Sequence, residues 1–123
     1  MENHRALKKL YRGLDYEDVM VDYLPQCTFN LNARAASMDT PLHAFVPKAF
    51  VNHMQPDACI AIAAAKDSKP LTQQIFGVAI GWLPWTRPGF ELGRLLETVC
   101  VDNRNAGGVL LERVGLVTRR TRH

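Results

Sequence analysis

Long apolar runs and paired cysteines are both missing from this sequence, and each absence excludes a class of protein. The longest apolar run, Ala58–Ala65, is too short to cross a bilayer. The opening segment, MENHRALKKLYRG, has no apolar stretch of the kind that a signal peptide needs. The three cysteines, Cys27, Cys59 and Cys100, are odd in number and widely spaced, which argues against a disulfide framework or a paired-cysteine zinc site. We therefore expect a cytoplasmic protein with reduced thiols and no membrane partner.

Composition places the chain among single-domain globular proteins. Its 123 residues suffice for one core, and 47% hydrophobic and 22% charged residues are close to globular averages. The net charge of +3 is small, but arginines crowd the end of the chain at Arg113, Arg119, Arg120 and Arg122. No aromatic residues alternate with them, as they do on many nucleic-acid-binding surfaces. We expect residues 1–118 to form a domain and residues 119–123 a solvated basic tail with no nucleic-acid partner; a basic nucleic-acid module is the alternative.

The first twenty-five residues predict two helices. A helical face with spacing i, i+3, i+4 and i+7 is formed by Leu7, Leu10, Tyr11 and Leu14. Asp15 is placed to cap a second short helix, which Pro25 ends.

The remainder of the chain mixes short strands and helices without a regular alternation. Thr40 followed by Pro41 predicts a helix start. The other predicted elements are a strand at Phe50–Gln55, a turn at Pro56 and Asp57, an alanine-rich helix through Ala65, a helix at Leu71–Phe76 after a break at Asp67–Pro70, a strand at Val78–Leu83, a helix at Phe90–Val101, and strands at Gly107–Leu111 and Leu116–Thr118. This order predicts a mixed α/β fold.

The segment with the most chemical content runs from Ser37 to Asp57. Asp39 precedes a predicted helix start, where a carboxylate is either a general base or a capping group. A His-x-His pair on a strand would place two imidazoles on one face and supply half of a tetrahedral zinc site. Here the three residues are His53, Met54 and Gln55, so one of the two imidazoles is replaced by an amide.

Five stretches, which together cover most of the chain, are RALKKLYRGL, LPQCTFNLNARA, DTPLHAFVP, HMQPDACIAIAAAKD and GWLPWTRPGFELG. They resemble the class II aldolase/adducin family, and among its members the aldolase part of the bifunctional rhamnulose-1-phosphate aldolase/alcohol dehydrogenase proteins. The last of them, at Gly81–Gly93, is far more specific than any three-residue metal pattern because its tryptophans, prolines and glycines stand in fixed places.

The resemblance implies a fold, a reaction and a cofactor. The fold is an α/β one of the α+β type, with three layers and helices around a central, mostly antiparallel sheet. The reaction is the zinc-dependent retro-aldol cleavage of a phosphorylated ketose, such as a rhamnose-derived one, to dihydroxyacetone phosphate and an aldehyde. In the family Zn²⁺ is held by three histidines, whose positions correspond here to His53, Gln55 and Val114. The catalytic carboxylate of the family corresponds to Asp39.

The departures from the family pattern lead to two further expectations. Glutamine and valine occupy two of the three ligand positions, so we expect aldolase activity to be impaired or absent. The upstream segments that bind the substrate phosphate in the family are not in this sequence, so we expect an internal piece of the domain with an incomplete sheet. The alternative is a non-catalytic, adducin-like assembly or binding module. On either hypothesis, family members suggest a homo-oligomer.

Overall fold

A computed structural model describes residues 2–28 and 37–120, and within them the chain forms six α-helices and four β-strands. The helices are α1 (Glu2–Ala6), α2 (Glu17–Tyr23), α3 (Thr40–Phe45), α4 (Asp57–Ala64), α5 (Ser68–Phe76) and α6 (Phe90–Asp102). The strands are β1 (Phe50–Met54), β2 (Ile80–Leu83), β3 (Gly108–Leu111) and β4 (Gly115–Arg120), and short 3-10 helices lie at Leu7–Lys9, Leu14–Tyr16 and Leu24–Cys27.

The four strands form one sheet in the order β1-β4-β3-β2. β4 pairs antiparallel with both β1 and β3, whereas β2 pairs parallel with β3. The sheet is therefore mostly antiparallel, and the predicted mixed α/β fold is confirmed. β3 is buried along its whole length, as expected for an inner strand made of glycine, valine and leucine.

The residues divide into two compact units. The first comprises residues 1–45 and 86–94, and the second comprises residues 46–85 and 95–123, which include the sheet. In the second unit α4 packs on β3 and β4, and α5 packs on β2. Side chains that are buried in this unit include Ala63, Leu83, Leu96, Val109, Leu110, Leu111 and Val117.

The core of the first unit is built around Phe90, the first residue of α6. Its ring meets the ring of Phe45 edge-on with 5.0 Å between centroids, and the ring of Tyr11 at 5.1 Å. The other buried members of this cluster are Leu7, Met20, Leu24 and Ala44. Aromatic pairs of this kind stabilise a fold by more than the area that they bury accounts for. Phe90 therefore packs against segments of the first unit that are distant from it in the sequence.

A buried carboxylate caps the start of α6. Glu17, only 2% exposed, accepts hydrogen bonds from the backbone N–H groups of Phe90 and Glu91 at 3.3 and 2.8 Å. These amides have no partner within their own helix, and the positive end of the helix dipole favours a carboxylate there. Gly89 permits the approach, since a Cβ atom built on it would lie 2.8 Å from Oε1 of Glu17.

Several sequence predictions need correction. The helix predicted through Leu14 ends early, because the chain turns into a 3-10 helix at Leu7 and Gly13 has a φ of +113°; Leu10 and Leu14 are about half exposed. Asp15 does not cap α2, which follows Tyr16 without a side-chain cap.

Three further predictions concern prolines and arginines. α2 ends at Tyr23, ahead of Pro25 as predicted. Pro70 does not interrupt the helix as predicted. It lies in the first turn of α5, where a backbone N–H would have no helical partner, so its missing N–H costs nothing there. Arg119 and Arg120, which we expected to be solvated tail residues, are the last two residues of β4. The rest of the predicted tail, residues 121–123, lies outside the described residues.

We predict that Glu17→Ala lowers the free energy of unfolding by about 1–3 kcal/mol, because two buried N–H groups lose their acceptor. Urea denaturation followed by circular dichroism measures the change. Asp22→Ala, an exposed substitution on the same helix, is the matched control and should change stability by less than about 0.5 kcal/mol. Equal effects of the two substitutions would contradict the capping role.

The burial of Glu17 also predicts that the stability of the fold depends on pH. Burial raises the pKa of Glu17 above its ordinary value of 4.5, so the folded protein holds this proton more tightly than the unfolded chain. The resulting stabilisation is fully present below pH 4.5 and is lost as the pH rises through the raised pKa. The stability of the wild type relative to Glu17→Gln should therefore decrease from acid to neutral pH, and a constant difference would argue against the shift.

Candidate functional site

The pairing of β1 with β4 positions the histidine that the sequence singled out. His53 lies opposite Val117 in the antiparallel register and is half-buried. Gln55 follows the last residue of β1, and its side-chain Nε2 donates a hydrogen bond to the backbone oxygen of Val114 at 3.1 Å. Residues that are far apart in the sequence are therefore in direct contact at this end of the sheet.

The turn between β3 and β4 determines where Val114 lies. Its backbone N–H donates to the oxygen of Leu111 at 3.1 Å, and the N–H of Arg113 donates to the oxygen of Ala63 at 3.0 Å. Arg113 has a φ of +58° and Gly115 a φ of +151°, so both residues that flank Val114 have left-handed backbone conformations. The turn is thus held to the end of α4 by a backbone hydrogen bond.

Gly115 allows the turn to lie directly against the end of β1. A Cβ atom built on Gly115 would lie 2.9 Å from the backbone oxygen of Met54, which is closer than real Cβ contacts. The same atom would lie 3.1 Å from Cγ of Gln55 and 3.7 Å from Nε2 of His53. The glycine is required here for both its φ and its lack of a side chain.

The three positions that the resemblance assigns to metal ligands therefore lie together, but the donor set does not fit Zn²⁺. His53 offers an imidazole, Gln55 offers a carboxamide whose nitrogen already donates to a carbonyl, and Val114 offers only hydrocarbon. Zinc sites in proteins are built from Cys, His and Asp or Glu ligands. In residues 2–28 and 37–120, no group of three or more such side chains is arranged to hold a metal ion.

Asp39 belongs to the first unit and directly precedes α3. Its backbone N–H donates to Oγ of Ser37 at 3.1 Å, and its backbone oxygen accepts from Leu42 at 3.0 Å. α3 begins at Thr40 as predicted, but the Thr40 hydroxyl donates to the oxygen of Ser37 at 2.6 Å and does not cap the helix. The Ser37–Thr40 turn therefore fixes the backbone at Asp39.

A buried arginine is the main site feature that the sequence analysis missed. Arg119 is 5% exposed, and its guanidinium donates to three backbone oxygens: that of Ala106 at 3.1 Å, that of Cys100 at 2.7 Å and that of Asn103. The arginine thus closes the C-terminal end of α6 and the loop that follows it. Its neighbour Cys100 is also buried, and burial raises the pKa of that thiol, against the opposing effect of Arg119.

The alternation of residues along β4 is the feature of the sequence from which the burial of Arg119 could have been predicted. Gly115, Val117 and Arg119 occupy every second position of β4, and all three are buried. Because side chains on one face of a strand recur with period two, extending the predicted strand beyond Thr118 would have placed Arg119 on the inner face.

Comparison with known proteins identifies relatives over most of this chain. The family described as "Class II Aldolase and Adducin N-terminal domain" matches residues 8–120. The uncharacterized oxidoreductase YuxG of Bacillus subtilis strain 168 is 39% identical over 102 residues, which cover 83% of this chain and 15% of YuxG. A solved structure, the N-terminal class II aldolase domain of a conserved protein from Thermoplasma acidophilum, is 30% identical with a TM-score of 0.77, and the match covers 96% of this chain and 53% of that one.

The match thus extends over about half of the structural relative and a smaller part of YuxG. Among the described residues, no helix is both long and apolar enough to cross a membrane.

We predict that Arg119→Lys lowers the free energy of unfolding by about 2–4 kcal/mol, because an ammonium group cannot serve three backbone oxygens in the geometry of a guanidinium. Arg120→Lys is the matched control: it is the next residue, it is exposed, and its change should stay below about 0.5 kcal/mol. Thermal and urea unfolding measure both variants. Indistinguishable stabilities would contradict the structural role of Arg119.

Proposed function

The chain belongs to the class II aldolase and adducin N-terminal domain family, and on that basis we propose that it is an aldolase-like domain with an impaired metal centre. The finer relationship that we propose is with rhamnulose-1-phosphate aldolase. The substrate class of that relative is a phosphorylated ketose, and its products are dihydroxyacetone phosphate and an aldehyde. Little or no such cleavage is expected from this domain.

One observation carries the proposal: the contact between Gln55 and Val114 beside His53. The contact supports the assignment of these residues to neighbouring ligand positions, because an incorrect alignment would have no reason to bring them together. The residue types decide what each position offers. A single imidazole with an amide beside it is a weak site for a divalent cation.

Asp39 is the residue to which we assign the carboxylate role. A carboxylate can accept a proton from carbon, but the negative charge that then develops on oxygen needs a stabilising group, and such stabilisation is usually the largest contribution to catalysis. That stabilisation would come from a bound cation, and His53, without a second imidazole beside it, would hold a cation only weakly. Retention of Asp39 is therefore compatible with loss of the reaction.

A second candidate function is non-catalytic assembly of the adducin kind, with a second copy of the chain as the partner. In the described part of the chain, β1 and β2 each pair with one other strand and so form the edges of the sheet. β1 also exposes two large apolar side chains on one face, Phe50 at 37% and Met54 at 45%. Edge strands with exposed apolar residues are common sites of association between chains.

The first test restores the metal ligands. We predict that Gln55→His combined with Val114→His tightens zinc binding by at least about a hundredfold over the wild type, because the two added imidazoles would complete a three-histidine donor set with His53. Metal content by emission spectroscopy and competition with a chromogenic chelator measure the affinity. The wild type should retain almost no zinc at neutral pH.

Two controls accompany the restored variant. Adding His53→Ala to it should abolish the gain, whereas Gln74→His, an exposed substitution on α5, should produce none. A wild-type protein that holds one zinc per chain tightly would refute the impaired metal centre. A restored variant that gains no affinity would refute the assignment of the ligand positions.

The second test concerns assembly. If β1 mediates association, Phe50→Lys and Met54→Lys should each shift the protein from dimer to monomer in analytical ultracentrifugation, because a charge at an edge strand opposes pairing. Val101→Lys replaces an exposed apolar residue of α6 and should leave the oligomeric state unchanged. A wild type that stays monomeric at all concentrations would exclude assembly through this edge.

A further inference from the structure

A basic cavity lies in the second unit, next to the end of β4. It has a volume of about 340 Å³ and is lined by Lys48, Arg104, Arg119, Arg120 and residues 105–107. A neighbouring cavity of about 280 Å³ shares three of these basic residues. No acidic side chain is among the described residues that line either cavity.

This cavity is separate from the candidate metal positions. In the register of the sheet Arg120 pairs with Phe50 at the start of β1, whereas Leu116 pairs with Met54 at its end. Four residues of extended strand separate the two ends, which is about 13 Å at roughly 3.3 Å per residue. The cavity therefore lies at the opposite end of the strand from the candidate metal positions.

Arg119 gives the cavity a fixed wall. Its guanidinium donates to backbone oxygens at Cys100, Asn103 and Ala106, so it holds the segment that carries Arg104 in one conformation. The backbone N–H of Arg119 also donates to the oxygen of Gly107 at 2.9 Å. With its donors committed in this way, Arg119 is a positioning residue, and Arg104 projects from a loop that is already ordered.

The other three cations have no carboxylate partner within the part of the chain that the structure describes. In residues 2–28 and 37–120, Lys48, Arg104 and Arg120 form no ion pair with a carboxylate. Like charges around one concavity repel each other, and a concave low-dielectric wall strengthens their field. A bound anion would relieve this repulsion, so the cavity is better suited to an anion than to solvent alone.

We propose that this cavity binds a phosphate monoester through Lys48, Arg104 and Arg120. A tetrahedral dianion accepts hydrogen bonds from several donors at once, and the planar guanidinium of arginine matches two phosphate oxygens. The volume suits a small phosphorylated metabolite. None of the described residues that line the cavity is aromatic, so they offer no surface on which nucleic-acid bases would stack, and a small ligand is favoured over a single-stranded nucleic acid.

Isothermal titration calorimetry with inorganic phosphate and with glycerol 3-phosphate tests the proposal on the full chain. Both anions should bind the wild type, and the affinity should fall as sodium chloride is added. Arg104→Gln and Arg120→Gln should each weaken binding by about tenfold, because each removes a charge-assisted hydrogen bond. Arg104→Lys keeps the charge and should recover part of the affinity. Both residues are exposed, so the fold of these variants should persist, and circular dichroism checks it.

Lys66→Gln removes an exposed cation of the same unit outside the cavity and is the matched control; it should change the affinity by less than about twofold. An equal loss in Lys66→Gln would show that only net charge matters and would overturn the site. Absence of phosphate binding to the wild type would do the same. Tighter binding of a single-stranded oligonucleotide than of glycerol 3-phosphate would replace the small ligand by a nucleic acid and also overturn the proposal.

Discussion

The antiparallel pairing of β1 with β4 is the constraint on which both sites of this domain depend. Its register places the end of β1 beside the β3–β4 turn, which brings Gln55 against Val114. At the other end the same register places Arg120 opposite Phe50, beside the loop that Arg119 holds. A slip by one residue would turn every side chain of the strand to the opposite face. The candidate metal positions and the basic cavity are therefore specified by one set of backbone hydrogen bonds.

The two ends of β4 differ in what their side chains offer. At the turn, the three positions that the resemblance assigns to metal ligands lie together, but Val114 offers only hydrocarbon and Gln55 an amide, which is a poor zinc ligand. At the other end, four cations surround a cavity with no carboxylate in its described lining. Family membership accounts for the fold. The burial of Arg119 depends on the backbone carbonyl groups of α6 and of the loop that follows it.

The parts of the fold that could be predicted were those with strong local signals. Pro56 precedes α4, which begins at Asp57, and the predicted and observed boundaries agree within about one residue there, as they do at α6. The prediction of the N-terminal helix was wrong. The leucine periodicity continues through Leu14, but Gly13 has a φ of +113°, which an α-helix does not contain. The capping by Glu17 could not be predicted, since its partners Phe90 and Glu91 are more than seventy residues away. The burial of Arg119 was not predicted, because arginine side chains are mostly exposed in proteins.

The conformation of the turn around Val114 has an evolutionary consequence. Arg113 and Gly115 carry the unusual dihedral angles, and the backbone hydrogen bonds to Leu111 and Ala63 hold the loop, so the side chain at Val114 contributes little to its shape. A residue at this position is consequently free to change without unfolding the chain. Evolution can therefore exchange the side chain at position 114 while the backbone of the turn stays in place.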